Sequence, residues 1–593
     1  MNLDATLRSE IQKAFTGLFN QPANAIQLQP TNQEFEGSHT LVCFPLAKIS
    51  RKGPEETARM IGDYLVAHSG IVSRYNVVKG FLNLVISDAA WGKVFQAIWN
   101  NPDFGVLPPN GKEIMVEYSS PNTNKPLHLG HLRNNFLGWS VAETYKALGY
   151  AVHKVQIIND RGIHICKSMV AWQLFGHGET PESSGLKGDT LVGKYYVEFD
   201  RVYKSQINEL EGKGIAKETA EKEAPIMKLA VEMLRQWEQK NPDVLQLWKQ
   251  MNSWVYAGFD VTYRQMGVDF EKLYYESETY LLGKEEVLRG LEQGVFFKKE
   301  DGSVWVDLTA DGLDQKVLLR SDGTSVYMTQ DIGTAILRFH DFPKISLQVY
   351  TVGNEQEYHF KVLFLILAKL GHAWAKECYH LSYGMVDLPT GKMKSREGTV
   401  VDADDLMAEM VEEAEKQARA LGKIEDFTEH QVHDLSEMIG LGALKYFLLK
   451  VDPRKRMMFD PGESIQLQGH TGPFIQYTHA RIRAILRKAK ELGIPLDAPP
   501  LPPPLEPTER EVIRLLNLYP GKVEEAAREY APSAVANYAY DLAREYNQFY
   551  QSIPIFNETD LARRQFRIAF SYVVAETLKK AMGLLGIRVP DRM

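Results

Sequence analysis

Two histidines, His128 and His131, frame Gly130 at the end of the stretch Glu117-Tyr118-Ser119-Ser120-Pro121-Asn122-Thr123-Asn124-Lys125-Pro126-Leu127-His128-Leu129-Gly130-His131. Imidazoles beside a glycine where a helix opens can donate hydrogen bonds to an anion. The unpaired N–H groups and dipole of a helix N-terminus already favour such an anion. The chemistry this turn offers is phosphate binding. An H-x-x-H pattern by itself also fits histidines that cap a helix or line a polar loop. Zinc is disfavoured, because the spacing is not H-E-x-x-H and no glutamate base stands between the imidazoles. No dedicated metal site is expected.

A second phosphate-binding candidate is Gly391-Lys392-Met393-Lys394-Ser395-Arg396-Glu397-Gly398-Thr399. Its glycines bracket basic side chains, so the loop can bring positive charge to a polyphosphate. Alone it reads more readily as a solvated basic loop. Only its pairing with the histidine turn gives it weight.

These residues need elements to position them. Ile114, Met115 and Val116 predict a buried strand before the histidine turn, and residues 138–148 predict a helix after it. Pro121 and Pro126 keep the intervening loop out of helix, and Gly130 lets another group approach the backbone. From residue 112 to about 400 the pattern alternates. Strands are predicted at 152–158, 304–308, 325–328 and 348–352, followed by a helix at 361–370. Such alternation implies a parallel sheet that binds ligands beyond its strands' carboxyl ends. Residues 160–270, rich in charge and helix formers, read as a helical insertion.

Before this region, Leu3, Leu7, Ile11, Phe15 and Leu18 share one helical face and a second helix starts at Pro54. Strands at 40–44 and 80–86 complete a small α/β unit. From Gly440 onward the pattern is helical, interrupted by a stiff proline-rich connector around residues 495–507. The expected division is 1–110, 111–400 with the insertion at about 160–270, a connecting helical region at 401–460, and a helical unit at 461–593.

At 593 residues the chain needs several cores, and 44% hydrophobic with 24% charged residues describes an ordinary globular protein. No apolar run approaches the ~20 residues of a membrane span, and Asp4 and Glu10 mix with the basic residues of the N-terminus. A cytoplasmic protein without a membrane partner is expected. Cys43, Cys166 and Cys378 form no C-x-x-C, which opposes a disulfide scaffold and a zinc ribbon. A net charge of -8 weakly opposes nonspecific nucleic-acid binding, so any RNA site must be local. Residues 464–490 contain no acidic side chain, and there Tyr477 precedes Arg481, Arg483, Arg487, Lys488 and Lys490. That stripe suits single-stranded RNA and also suits a solvated helix face.

Taken together, the motifs resemble those of class I aminoacyl-tRNA synthetases. His128-Leu129-Gly130-His131 is similar to the H-I-G-H signature, and Lys392-Met393-Lys394-Ser395-Arg396 stands where K-M-S-K-S belongs. The resemblance is to the arginyl-tRNA synthetase family over nearly the whole chain. Ser119-Ser120-Pro121-Asn122, Tyr327-Met328-Thr329-Gln330-Asp331, Val352-Gly353-Asn354-Glu355-Gln356 and 472–481 carry it. Ser395 replaces the second lysine of K-M-S-K-S, and the resemblance implies that Lys125 compensates. Gly442-Ala443-Leu444-Lys445 departs from D-A-L-R at both ends.

The resemblance implies a Rossmann-like catalytic domain with a small α/β N-terminal domain and an all-α anticodon-binding domain. It implies ATP with Mg²⁺, L-arginine and tRNA(Arg) as partners of a monomeric arginine-tRNA ligase. A noncatalytic tRNA-binding paralogue is the alternative. In that frame His128, His131, Lys125, Lys392 and Lys394 are catalytic, while Gly130, Gly353, Glu355 and Ser395 join them around ATP. Glu117, Tyr327 and Asp331 face the guanidinium, Ser120 and Asn122 face the α-amino end, and Gln356 completes the pocket. Phe81, Asn83, Tyr477, Arg481 and Met593 meet tRNA. A forked, permanently charged guanidinium requires acceptors at fixed spacing, which lysine cannot satisfy in the same way.

Overall fold

The computed structural model describes residues 3–23, 25–32, 34–389, 401–420, 422, 424–496 and 504–593. Its centre is a five-stranded sheet of β1 (Glu113–Glu117), β2 (Ala151–Ile158), β3 (Lys272–Tyr275), β4 (Ile345–Gly353) and β5 (Cys378–Tyr383). Every pairing is parallel, in the order β5-β4-β1-β2-β3. Chain order reverses between β1 and β4, so a crevice opens beyond the carboxyl ends of those two strands. Ile114, Met115 and Val116 of β1 are fully buried, as a central parallel strand requires.

The helix after β1, Leu129–Ala147, begins earlier than apolar periodicity suggests, because Gly130 and His131 interrupt the apolar pattern in its first turn. Between β2 and β3 the chain is helical, with Ile163–Phe175, Gly188–Gly212, Pro225–Glu238 and Pro242–Met266 as its longer helices. Two strand expectations need correction. Val304–Val306 is a strand, but of a separate antiparallel three-stranded sheet with Phe297–Lys298 and Lys316–Leu319. Residues 325–328 are not a strand: the helix Tyr327–Asp341 starts there. Its buried Met328, Ile332 and Ala335 recur at helical spacing, a signal that a four-residue window cannot carry.

The N-terminal region packs helices on an antiparallel sheet ordered Leu28–Pro30, His39–Val42, Phe81–Ile86, Val72–Val78. At the other end, Gly472–Glu491, Pro507–Arg528, Ser533–Ser552 and Leu561–Leu584 form a helical unit. It touches the helix Leu129–Ala147 directly, where Ser140 Oγ donates to Leu584 O at 2.7 Å. Among the described residues, no helix is long and apolar enough to cross a membrane.

Candidate active site

The loop from β1 to its helix is stitched to its surroundings before it reaches the histidines. Asn159 N donates to Pro121 O at 2.9 Å and Thr123 N to Asn159 O at 3.1 Å, tying the loop to the end of β2. Ser119 holds a left-handed φ of 63°, its N–H donating to Asn134 Oδ1 at 2.6 Å. The strain of such a residue persists only where its neighbours over-determine it.

His128 is the N-cap of Leu129–Ala147. Its Nδ1 accepts from Gly130 N at 3.1 Å, and His131 Nδ1 accepts from His128 N at 3.1 Å. The capping alternative is therefore true of both histidines, and it does not exclude function. With each Nδ1 used as an acceptor, the neutral tautomer carries its proton on Nε2, leaving an N–H donor on each ring. Burial holds His128 down at about 4, with Lys125 adding to the effect. His131 lies well below the usual imidazole range, through burial and then the charges of His128 and Lys125. The ring centroids stand 3.9 Å apart, so two charges there would repel. The turn thus presents neutral donors beside the Lys125 ammonium. A Cβ on Gly130 would lie 3.0 Å from His128 Cε1, so the group that approaches this glycine is His128 itself.

Beside the turn, a cleft of about 720 Å³ is lined by Asn122, Tyr327 and Asp331 together with Arg161 and Glu276. Tyr327 is 76% exposed, its ring presented to the cleft. Asp331 lies inside the helix Tyr327–Asp341. Its Oδ2 accepts from His359 Nε2 at 2.6 Å. Glu276 has no place in the sequence reading. Burial pushes its carboxyl up to about 7, with Asp160 and Asp331 adding to the rise and Arg161 opposing it. It directly follows β3, at the carboxyl end of a parallel strand; recognising that short strand would have pointed to it.

Glu117, expected to face the guanidinium of the ligand, is held by a guanidinium of the chain itself. It is 4% exposed, and the guanidinium it meets is that of Arg338, itself 1% exposed. The end of a central strand is too deep for its side chain to stay unpaired. Ser120 is half-buried, and its carbonyl accepts from Asn159 Nδ2 at 3.3 Å. Gly353 ends β4, and Glu355 and Gln356 are exposed in the turn Asn354–Gln356, outside the cleft lining. Lys392, Lys394 and Ser395 lie outside the described residues.

The RNA-facing expectations divide. Asn83 is 2% exposed; its amide accepts from Thr40 Oγ1 at 2.6 Å and donates to Asn76 Oδ1 at 2.7 Å. It is therefore an internal strut of the sheet, not a group presented to a base. Phe81 packs edge-on against Phe44 at 5.5 Å, and Phe44 is 45% exposed, which leaves an aromatic surface at this edge. The Arg481 guanidinium lies 4.9 Å from the Tyr477 ring and 5.0 Å from that of Tyr550, and it donates to Asn547. Met593 packs against the helical core nearby. Arg483 pairs with Asp591, so the basic stripe is partly neutralised within the chain.

A parallel sheet with a histidine turn at its switch point, followed by a helical C-terminal unit, defines a class I aminoacyl-tRNA synthetase. Residues 93–460 match the family model described as tRNA synthetases class I (R), catalytic domain. Residues 475–593 match the DALR anticodon binding domain, and 1–86 the arginyl tRNA synthetase N terminal domain. The chain is 56% identical over 599 residues to an arginine-tRNA ligase of Bacteroides fragilis, covering 100% of each. It is likewise 56% identical over 597 residues to that of Amoebophilus asiaticus, again covering 100% of both chains. The arginyl-tRNA synthetase structure of Thermus thermophilus superposes over 100% of both chains with a TM-score of 0.77 at 24% identity, a likeness of fold. The chain belongs to the arginine-tRNA ligase family.

Proposed function

We propose that the cleft and the histidine turn join L-arginine to ATP and pass the product to tRNA(Arg). The arginine carboxylate attacks the α-phosphorus in line, an O–P bond forms, and the bond to the bridging oxygen breaks with release of diphosphate. A ribose hydroxyl of the terminal adenosine then attacks the arginyl carbonyl, forming the ester and releasing AMP. Positioning and charge stabilisation do most of this work.

His128 and His131 donate from Nε2 to triphosphate oxygens at the helix N-terminus, with Lys125 supplying charge beside them. Asp331 and Glu276 accept the guanidinium, Tyr327 covers it, and Asn122 meets the α-amino end. Lys392 and Lys394 bring further charge to the phosphates. Among the described residues no group of three or more His, Cys, Asp or Glu side chains is placed to hold a metal ion. Mg²⁺ bound with the nucleotide would neutralise phosphate charge. Tyr477 and Arg481 suit the anticodon loop, and the chain acts as a monomer.

The observation that carries this reading is the pairing, across one switch point, of neutral imidazole donors with a carboxylate-lined cleft. ATP–diphosphate exchange with each amino acid, with and without tRNA, tests it. Arginine alone should support exchange. Exchange driven by cysteine or leucine but not arginine would overturn the reading.

A further inference from the structure

The polypeptide just beyond the Lys392 loop is fastened to the histidine turn. Leu129 N donates to Val401 O at 3.0 Å and Ala403 N donates to Leu127 O at 2.9 Å. His128 and Asp402 are bridged as antiparallel partners. Asp402 Oδ1 accepts from Asp404 N at 2.8 Å and opens the helix Ala403–Ala420. What holds this short segment comes from elsewhere in the fold.

The Asp404 carboxylate is bonded by Lys187 and accepts from Thr262 Oγ1 at 2.8 Å. The Lys187 ammonium also reaches Asp189 at 3.1 Å and Thr262 Oγ1 at 2.6 Å. Lys187 caps Gly188–Gly212 and Thr262 lies in Pro242–Met266, so both partners belong to the helical insertion between β2 and β3. Asp189 is fully buried, and a Cβ on Gly258 would stand 2.2 Å from its Oδ1. The packing is therefore built around that carboxylate. Burial pushes Asp189 up to about 6 against the pull of Lys187. Removing one member of a buried ion group is strongly destabilising, because it leaves an uncompensated charge inside the protein. The attachment is stiff for that reason.

We infer that Lys187, Asp189 and Asp404 are positioning residues for the nucleotide: the insertion clamps residues 401–404, and that segment fixes the histidine turn through its two backbone bonds. The inference rests on the reading of this turn as the triphosphate site. The arginine side chain is held from other elements, Glu276 after β3 and Asp331 within Tyr327–Asp341, and Asn122, on the loop that leads to the histidines, is tied to Asn159 at the end of β2 and not to the clamp. Loosening the clamp should therefore affect ATP and spare arginine.

The test uses the full chain with Lys187→Ala, Lys187→Arg, and a triple variant joining Lys187→Met, Asp189→Asn and Asp404→Asn, which removes the ion group without stranding a buried charge. Hydrogen exchange is followed in peptides covering 127–133 and 401–406, and ATP and arginine KM in tRNA-supported exchange. Lys187→Ala and the triple variant should speed exchange in both peptides and raise the ATP KM about tenfold, with the arginine KM moving less than about twofold. Lys187→Arg should stay near the parent. Unchanged exchange in the folded triple variant overturns the inference, as does a parallel rise in both KM values. If exchange quickens but the ATP KM holds, His128→Ala decides the fault. An ATP KM and a kcat both unmoved by His128→Ala remove the triphosphate reading and the inference with it, whereas a change in either produced only by His128→Ala rejects the clamp alone.

Discussion

At the histidine turn each Nδ1 is already bonded to backbone and the rings are neutral, whereas in the cleft burial, with Asp160 and Asp331 adding to it, pushes the Glu276 carboxyl up to about 7. The first wall is finished by its own main chain and offers hydrogen atoms without charge. The second gathers carboxylates in a partly buried cleft, Asp331 bonded to His359 and Glu276 facing the charge of Arg161. The contrast matches the two ligands: a triphosphate must bind and its diphosphate must leave, so fixed donors suit it better than a deep permanent charge. A guanidinium must be told from an ammonium, and that takes acceptors whose desolvation is compensated only by the right fork.

The contrast fails if the buried pair beneath both walls can be split at no loss. Arg338→Met leaves Glu117 unpaired at the end of β1 and should cost about 3–5 kcal/mol in urea unfolding of the full chain, with much of it restored by adding Glu117→Gln. A single variant as stable as the parent would show that Glu117 has another partner. Next in size, His128→Ala or His131→Ala should lower kcat about a hundred- to a thousandfold, roughly 2.7–4 kcal/mol, while the arginine KM moves little. Steady-state charging of tRNA reads both parameters.

Asp331→Asn should do the reverse, raising the arginine KM by about 10- to 100-fold, since a hydrogen bond to a charged group is worth about 1.5–3 kcal/mol. An unchanged arginine KM would remove Asp331 from the pocket. The smallest effect is set by pH. A cation binds the ionised form of Glu276, whose carboxyl stands at about 7. The kcat/KM for arginine should therefore fall as pH drops below that value, by at most about tenfold per unit. Glu276→Gln should remove the slope at a lower overall rate. A slope that survives the substitution belongs to another group.

Much of this was legible in residue types. His128, Gly130 and His131 after a short apolar strand already meant a turn suited to phosphate, and alternation of elements already meant a parallel sheet. Glu276 was not legible, because the strand that delivers it, Lys272–Tyr275, is short and follows a long helical insertion. Residues 325–328 were misread as strand because a short apolar run fits either period until Ile332 and Ala335 are counted. The resemblance implied that Asn83 meets tRNA, whereas pairing with Thr40 and Asn76 across two neighbouring strands holds its amide inside the sheet.

The sequence by itself determined the chemistry available at the turn, since imidazole, glycine and lysine at a helix start have few other uses in combination. It also determined the family, through motifs spread over the whole chain. Tertiary structure decided which groups remain free to meet a ligand. Glu117 and Asp331 are both carboxylates of the expected site, yet one is sealed against Arg338 and the other lies in the cleft wall. That difference arises from depth in the sheet and from partners hundreds of positions away, which local pattern does not encode.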